Sequence, residues 1–304
     1  MTNYKSISNL IDLYPYLTLR THTIAEYFFK AKSREDLQRA KKFSIQNNVP
    51  LLILGGGSNI AFIKEKFDGL IVKNEYIKKE IIKEDNDQVT LLISSGYPTS
   101  LIVSYTVEAG IAGFEYQKGL PGTLGGAIAM NSKWTNPISY ISDSLQSATI
   151  LDTQGNFKKV DRSYFQFAYD YSTLKKTGEI FVEGIFQCKK INRLILEKRA
   201  KEAFDYRLRT QPHGVATCGC FFKNISQKEQ NLKNLPSTSV GYLIDHSGLK
   251  NLSVGSFYVS GKHANFIVNK NKGDPKDLIK LLDIIKKKVK KKYAVELEEE
   301  VIIV

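Results

Sequence analysis

Cysteine and long apolar runs are scarce in this chain. The sequence has three cysteines among 304 residues (Cys188, Cys218 and Cys220), and an odd number cannot all pair within one chain, which favours a reducing compartment. It has no run of about 18 apolar residues, so a membrane-spanning helix is not expected. Residues 1–17 lack a charged segment followed by an apolar one, the pattern of a secretory signal. We therefore expect a cytoplasmic globular protein.

Acidic residues are also few relative to basic ones, and the net charge is +13. Many lysines fall within one segment, 276–292, after Asp274 and Pro275, which predict a helix N-cap and first helical residue. Because no motif with interleaved aromatics accompanies them, we interpret these lysines as a solvated helix face rather than a nucleic-acid site. The apolar face of this helix is predicted to carry Leu278, Leu281, Leu282, Ile285 and Val289.

Periodicity and capping signals predict alternating helices and strands along the rest of the chain. Ser33–Asp36 has the form of a capping box that opens a helix ending at Asn47-Asn48, and Gly110 is expected to close a helix over 100–109. Further helices are predicted over 195–208 and 240–246. The predicted strands are 49–54 (fully buried), 70–72, 89–95, 148–151, 180–186, 220–223, 258–259, 265–268 and 295–304.

Two glycine-rich segments are the most informative features: LGGGSNI at 54–60 and GLPGTLGGAIAMN at 119–131. Glycine permits positive φ and removes the Cβ atom, so backbone N–H groups can turn toward phosphate oxygens. A Rossmann fold fits poorly, because Ile60 stands where the third glycine of its fingerprint belongs. An ordinary glycine turn is the alternative for the first segment, whereas the two together favour the two arms of a dinucleotide cofactor.

The segment TCGCFFKN contains two of the three cysteines. If it were a strand, Cys218 and Cys220 would face the same side. A zinc site needs more ligands than the nearby His213 provides, and a buried structural cysteine is the common alternative. The lysine and asparagine that follow, Lys223 and Asn224, suit an anionic substrate better than a core.

Eight motifs, taken in order, resemble the UDP-N-acetylenolpyruvoylglucosamine reductase family, flavoenzymes that make UDP-N-acetylmuramate for peptidoglycan. The resemblance covers nearly the whole chain. The motifs are Thr18-Leu19 with Ala25, LGGGSN (54–59), GFEYQKGLPGTLGGAIAMN (113–131), RTQP (209–212), CGCFFKN (218–224), LIDHSGLK (243–250), VSGKHANFIVN (259–269) and LEEEV (297–301).

The resemblance implies an α+β fold: a two-part FAD-binding domain of the vanillyl-alcohol-oxidase/PCMH type and a smaller α+β substrate-binding domain. The corresponding divisions are 1–72 and 73–205 for the two FAD-binding subdomains and 206–294 for the substrate-binding domain, with a strand in 295–304 that could return to the first. It also implies bound FAD, NADPH as co-substrate, and reduction of UDP-N-acetylglucosamine enolpyruvate. No metal, nucleic acid, membrane insertion or oligomer is implied.

The same resemblance assigns roles to individual residues. Cys220 stands where the family has a proton-donating serine or cysteine, and Glu300 would stabilise or help protonate the enolate-like intermediate. An ordinary thiol, with a pKa near 8.5, is still mostly protonated at neutral pH and can serve as an acid. The expected FAD-binding residues are Gly55, Gly56, Gly57, Ser58, Asn59, Gly119, Pro121, Gly122, Thr123, Gly125, Gly126, Ala127 and Asn131. The expected substrate-binding residues are Tyr169, Arg209, Lys223, Asn224 and Lys262.

One position departs from the family pattern. Asp170 stands where the family has an arginine held against the substrate carboxylate, and a carboxylate has the wrong sign for that task. Loss of such a donor typically costs about 10²–10³ in rate. The short interval between Asp170 and Cys220 also favours the family type that lacks an inserted tyrosine loop. The residues that could supply the cation instead are Lys175, Arg207, Arg209 and Lys262.

Because of Asp170, other functions stay open on sequence grounds. The chain could be a related FAD oxidoreductase with another substrate, or a catalytically silent protein that binds flavin or a UDP-sugar. A basic nucleic-acid binder would instead show salt-sensitive binding and no flavin. Bound flavin separates the flavoproteins from the nucleic-acid binder, and turnover separates the reductase from the others.

Overall fold

A computed structural model describes residues 7–304, so the first six residues of the predicted 1–72 division lie outside the described part. The chain mixes helices with mostly antiparallel sheets, which confirms the α+β class. The strands are β1 (Ser8–Asp12), β2 (Ile24–Ala31), β3 (Leu51–Leu54), β4 (Ile60–Ala61), β5 (Lys66–Asn74), β6 (Lys79–Glu84), β7 (Gln88–Ser94), β8 (Lys133–Thr135), β9 (Ile138–Tyr140), β10 (Leu145–Leu151), β11 (Phe157–Asp161), β12 (Ile180–Lys189), β13 (Ser253–Val254), β14 (Phe257–Val259), β15 (Ile267–Asn269) and β16 (Ile302–Ile303).

The α-helices and short 3₁₀ turns connect these strands. The helices are α1 (Arg34–Asn47), α2 (Thr99–Glu108), α3 (Leu124–Met130), α4 (Leu174–Thr177), α5 (Arg193–Thr210), α6 (Gln227–Leu232), α7 (Val240–His246) and α8 (Pro275–Tyr293). The 3₁₀ turns are Tyr14–Tyr16, Glu115–Gln117 and Arg162–Phe165. Among the described residues, no helix is long and apolar enough to cross a membrane.

Three sheets organise the strands. One has the order β1-β2-β5-β3, in which β3 and β5 run parallel with Leu54 opposite Lys73. A five-stranded sheet has the order β11-β10-β12-β7-β6 and is antiparallel at every pairing. A third sheet, β13-β14-β15, is smaller. Two short ladders complete the set, of which the parallel pair of β16 with β4 joins residues far apart in sequence.

The chain divides into two compact units. Unit 1 contains Glu26–Gly56 and Asp68–Arg207, and unit 2 contains Ile11–Ala25, Gly57–Phe67 and Leu208–Val304. Unit 1 has two apolar clusters, one around β7, β10 and α2 and the other around α1 and β5. Unit 2 has one cluster, which collects buried side chains from α7, α8, β14 and β15. The three-part division predicted from the sequence stays a prediction.

The predicted helix ends are confirmed by their caps. Ser33 is the N-cap of α1 and its Oγ accepts a hydrogen bond from the Asp36 N–H at 3.1 Å. Asn48 closes the same helix in the left-handed region, as Gly110 does just after α2 with a φ of +71°. The predicted helix over 240–246 has the observed bounds of α7. The helix predicted over 195–208 is two residues longer at each end, as α5.

Three strand predictions need correction. The predicted 49–54 strand is shorter than expected and consists of Leu51–Leu54 (β3). Three of its four residues are half-buried, because β3 lies at the edge of its sheet. Residues 220–223 form isolated bridges instead of a strand, since Gly219 adopts a φ of +94° and interrupts the extended backbone. Only Ile302–Ile303 of the predicted 295–304 strand pairs regularly. In the last two cases the segment pairs with several neighbours, and none of these pairings extends beyond two residues.

The lysine-rich segment is helix α8, as predicted. Its five predicted apolar residues are all buried, and five of its lysines form ion pairs with acidic side chains. These pairs partly neutralise the basic face, which supports a solvated helix face. Asp274 caps the helix and accepts a hydrogen bond from the Lys276 N–H at 2.8 Å.

We expect Asp274→Ala to lower the free energy of unfolding by about 1 kcal/mol, because the cap acceptor is lost. Asp283→Ala is the matched control, since it removes only an exposed side chain that pairs with Lys287 inside the same helix. Its effect should stay below about 0.5 kcal/mol. Urea denaturation followed by circular dichroism measures both. Equal losses in the two variants would contradict a specific capping role.

Candidate active site

The two glycine loops touch each other within unit 1. A Cβ atom built on Gly56 would lie 2.5 Å from the Cα of Gly122, and one on Gly55 would collide with the Thr123 hydroxyl. A distance this short to a backbone atom leaves no room for any side chain at Gly56. The glycines are therefore needed where the first loop crosses the second, and they leave the backbone of both loops accessible.

The second loop is fastened at several points. Gly119 has a φ of +83° and lies against the Phe204 ring of α5. Gly122, with a φ of +105°, accepts a hydrogen bond from the Thr99 N–H at 3.1 Å, and the Gly125 N–H donates to the Ser95 carbonyl at 2.8 Å. Pro121 and Gly126 are exposed, whereas Thr123, Ala127 and Asn131 are buried. The loop is thus held rigidly while part of its surface stays open.

Close packing of two glycine loops fits a dinucleotide. The first loop could not carry a side chain at Gly55 or Gly56, and α3 starts directly after the crossing, with Thr123 as its N-cap residue. Glycine turns and backbone N–H groups of this kind bind phosphate oxygens. Within unit 1, the arrangement can therefore hold the diphosphate of a cofactor such as FAD.

The Asp170 segment is attached to the end of α3. Asn131 closes α3 in the left-handed region and donates from Nδ2 to the Ala168 carbonyl at 3.0 Å. Ser172 Oγ donates to the Ala129 carbonyl at 2.7 Å. These bonds tie residues 168–172 to the helix that follows the second glycine loop. The position of residue 170 is therefore fixed by the cofactor loop itself.

Asp170 forms an ion pair with Lys175. The Lys175 Nζ lies 3.0 Å from the Asp170 carbonyl oxygen and 3.4 Å from Oδ2. The Asp170 side chain is only 5% exposed, whereas that of Lys175 is 22% exposed. The carboxylate is thus buried beside the cation, and the more accessible charge of this pair is positive. This finding alters the expectation that an unbalanced negative charge replaces the family's arginine.

The end of the first glycine loop belongs to unit 2. Gly57 has a φ of +65°, and its carbonyl accepts hydrogen bonds from the Thr18 N–H at 3.1 Å and from Thr18 Oγ1 at 2.9 Å. Asn59 Nδ2 donates to the Glu300 carbonyl at 3.4 Å, and the Asn59 carbonyl accepts from the Ile302 N–H at 3.1 Å. Ser58 lies beside Gly219, where an added Cβ atom would be 3.8 Å from the Ser58 carbonyl oxygen.

Cys220 and Glu300 occupy neighbouring segments of unit 2. The Glu300 N–H donates to the Phe221 carbonyl at 2.8 Å, directly after Cys220. Asn265 holds the other side of this segment: its Oδ1 accepts from the Phe222 N–H at 3.0 Å and its Nδ2 donates to the Phe222 carbonyl at 2.7 Å. Asn265 is buried and its motif gave it no predicted role. The only hint in the sequence was that Asn265 is a polar residue between the apolar Ala264 and Phe266.

The three cysteines differ in their surroundings. Cys188 and Cys218 are buried, and burial raises the pKa of Cys188 to about 11 and raises the pKa of Cys218 as well. Both therefore stay protonated and inert at neutral pH. Cys220 is partly exposed. The predicted period-two relation of Cys218 and Cys220 does not apply, because Gly219 between them is not extended.

The predicted substrate-binding residues differ in their exposure and in their hydrogen-bond or ion-pair partners. Tyr169 is 43% exposed, and the Lys133 Nζ lies 5.5 Å from its ring centroid. Lys223 pairs with Glu298 at 3.4 Å, and Asn224 Oδ1 accepts from the Val240 N–H at the start of α7 at 3.1 Å. The Lys262 Nζ donates to the Leu208 carbonyl at 2.6 Å. Arg209 is exposed near the end of α5.

Of the four cations considered for the arginine's role, Lys175 contacts Asp170 directly. Arg207 is buried and lies 5.2 Å from the Trp134 ring centroid in unit 1. Lys262 and Arg209 belong to unit 2. Within unit 1, the contacts therefore favour Lys175.

Comparison with known proteins agrees with this arrangement. Residues 211–304 match the family described as UDP-N-acetylenolpyruvoylglucosamine reductase, C-terminal domain, and residues 25–161 match the FAD binding domain. A UDP-N-acetylenolpyruvoylglucosamine reductase from Chlamydia felis is 31% identical over 98% of this chain and 95% of its own. The reductase from Protochlamydia amoebophila is 33% identical over 91% of this chain and 87% of its own. The chain belongs to the UDP-N-acetylenolpyruvoylglucosamine reductase family.

A solved reductase supports the same membership through its fold. The crystal structure of UDP-N-acetylenolpyruvylglucosamine reductase from Thermus caldophilus is 26% identical, with a TM-score of 0.78 over 96% of this chain and 97% of that one. The predicted fold class and FAD as cofactor are thereby confirmed, because the reductase family is a family of flavin oxidoreductases and residues 25–161 match the FAD binding domain. The roles of single residues in this reductase stay predictions.

Proposed function

We propose that Cys220 and Glu300 carry out the protonation step of this enzyme's reaction. The chain reduces UDP-N-acetylglucosamine enolpyruvate to UDP-N-acetylmuramate for peptidoglycan synthesis, with FAD as cofactor and NADPH as co-substrate. We also propose a cytoplasmic location and action on the free UDP-sugar, without nucleic acid or an obligate oligomer.

The observation that carries this proposal is the joint placement of three motifs in unit 2. The Cys220 segment accepts a hydrogen bond from the Glu300 N–H, and the Glu300 carbonyl accepts one from Asn59 of the first glycine loop. Motifs from three distant parts of the sequence therefore meet through direct hydrogen bonds. Such convergence supports a shared chemical role better than any one motif does.

The assigned roles follow from the charge that the reaction creates. Bound FAD would supply the redox chemistry, in which a hydride derived from NADPH is added to the methylene carbon of the enolpyruvyl group. Negative charge then builds on the adjacent carbon and its carboxylate. Cys220 Sγ–H gives its proton to that carbon, since a partly exposed thiol can act as a general acid. Glu300 assists the proton transfer.

The cation that faces the substrate carboxylate is, in this proposal, Lys175. Its Nζ lies at the backbone of residue 170, where the family's arginine side chain would begin. Asp170 acts as a positioning residue, because its buried carboxylate holds the lysine near that point. A cationic group is thereby present at this place, although it comes from a residue five positions later and is paired with Asp170.

We expect Lys175→Gln to slow flavin reoxidation by the enolpyruvyl substrate by about 10²–10³-fold, because the cation that stabilises the developing charge is lost. Flavin reduction by NADPH should change little. Lys176→Gln is the matched control: Lys176 is the next residue of α4, is exposed and lies over the Tyr171 ring. Stopped-flow absorbance of the flavin separates the two half-reactions. Similar rates in both variants would argue against Lys175.

The function itself is tested by an anaerobic experiment on the purified protein. NADPH should bleach the flavin, and one equivalent of UDP-N-acetylglucosamine enolpyruvate should restore its colour in a single turnover. Flavin that NADPH reduces but the enolpyruvyl substrate fails to reoxidise would contradict this substrate assignment. A protein that binds no FAD after reconstitution would contradict the cofactor assignment.

A further inference from the structure

A half-buried lysine lies at the first glycine loop. Lys73 is in β5, opposite Leu54 of β3, and its Nζ donates a hydrogen bond to the carbonyl of Gly55. The sequence analysis gave Lys73 no role. Its only signal in the sequence is that it directly follows the apolar stretch GLIV (69–72), which is buried in β5.

The charge of Lys73 is poorly compensated by the protein. Among the described residues, no carboxylate lies within ion-pair distance of its Nζ, and the nearby Glu75 is paired with Lys30 at 3.2 Å. Burial lowers the pKa of Lys73, the negative charge of Glu75 offsets part of this effect, and the positive charge of Lys30 lowers the pKa further. Burying an ammonium group costs free energy unless an anion accompanies it, and one carbonyl supplies only part of that compensation.

An anion that compensates this charge would have a defined place. Gly55, which accepts the lysine's hydrogen bond, also lies against Thr123, and the adjacent Gly56 lies against Gly122. The ammonium group is therefore bonded to the point where the two glycine loops meet. Backbone N–H groups of such loops bind phosphates through partial charges, and a full positive charge beside them strengthens that binding.

We propose that Lys73 binds the diphosphate of FAD and is the cation that neutralises it in unit 1. This inference rests on the proposed function, in which FAD is the cofactor. It adds a charged side chain to a site otherwise built from glycines, Thr123 and backbone groups. In the absence of FAD, Lys73 should destabilise the folded protein, because its charge is then half-buried without a counter-ion.

The test uses apoprotein prepared from the full chain and measures two quantities for each variant: the Kd for FAD, by flavin fluorescence, and the melting temperature of the apoprotein. Lys73→Met should weaken FAD binding about 10- to 100-fold, since a hydrogen bond to a charged group is lost. Its apoprotein should melt at the same or a higher temperature. Lys73→Gln, which keeps a donor for the Gly55 carbonyl but no charge, should behave in the same way.

Lys30→Met is the matched control, because it removes a neighbouring charge that is 46% exposed and already paired with Glu75. Its Kd for FAD should stay within about threefold of the parent value. Unchanged FAD affinity in both Lys73 variants would overturn the proposal. So would a loss of affinity accompanied by a lower apoprotein melting temperature, which would mark Lys73 as a structural clamp on Gly55. Failure of the parent apoprotein to bind FAD would instead reject the proposed function.

Discussion

Cys220→Ala should leave flavin reduction by NADPH intact and slow reoxidation by the enolpyruvyl substrate by about 10²–10⁴-fold, the usual contribution of a general acid. The expectation rests on the position of Cys220 next to the segment that bonds Glu300, and on its partial exposure. Anaerobic stopped-flow measurement of flavin absorbance gives the two rates separately. A large loss confined to the second half-reaction is the expected signature.

Cys220→Ser is the control for this prediction, because a hydroxyl can also donate a proton and is only slightly smaller than a thiol. It should recover much of the rate that alanine loses. Comparable slow reoxidation in the serine and alanine variants would mean that a thiol is specifically required. Full activity of Cys220→Ala would remove the thiol from the mechanism and leave Glu300 as the candidate acid.

Gly56→Ala should weaken FAD binding by about ten- to 100-fold. The new Cβ would lie 2.5 Å from the Cα of Gly122, so the two loops must move apart. Forced repacking of this kind costs about 1–3 kcal/mol, and each 1.4 kcal/mol of lost binding energy is a factor of ten. Titration of apoprotein with FAD measures the effect. Gly56→Val should bind FAD more weakly than Gly56→Ala does.

Gly178→Ala provides the comparison for general destabilisation. Gly178 has a φ of +68°, and a Cβ atom added to it would have no other atom within 4 Å, so alanine there strains the backbone without touching the glycine loops. Its free energy of unfolding should fall by about 1 kcal/mol while its Kd for FAD stays constant. If Gly56→Ala binds FAD as tightly as Gly178→Ala does, close contact of the loops is not needed for cofactor binding.

Local signals in the sequence predicted the helices well. Ser33 and Asp274 cap helices through their own side chains, and the apolar spacing of α8 matches its buried face. Strands were predicted less accurately because their pairing partners are distant. Residues 220–223 have the composition of a strand, yet Gly219 and the separate bridges to Phe266 and Glu299 keep them irregular.

The candidate site was predictable to the extent that its residues fall within motifs. Cys220, Glu300 and the glycines could be named from the sequence, whereas Asp170 could be recognised only as a departure. Its partner Lys175 became evident from a contact, since several cations were equally placed along the chain. Lys73 and Asn265 were missed because each acts through tertiary contacts, with Gly55 and Phe222, that no local pattern encodes.

The parallel pairing of Ile302–Ile303 with Ile60–Ala61 also sets an order of assembly. During synthesis, β4 emerges early but cannot acquire this partner until nearly the whole described chain has been translated. The Glu300 carbonyl and the Ile302 N–H, which both bond Asn59, arrive at the same late stage. A chain that stops before residue 300 therefore lacks these bonds to Asn59 and the β16 partner of β4, so the end of its first glycine loop is left without that support.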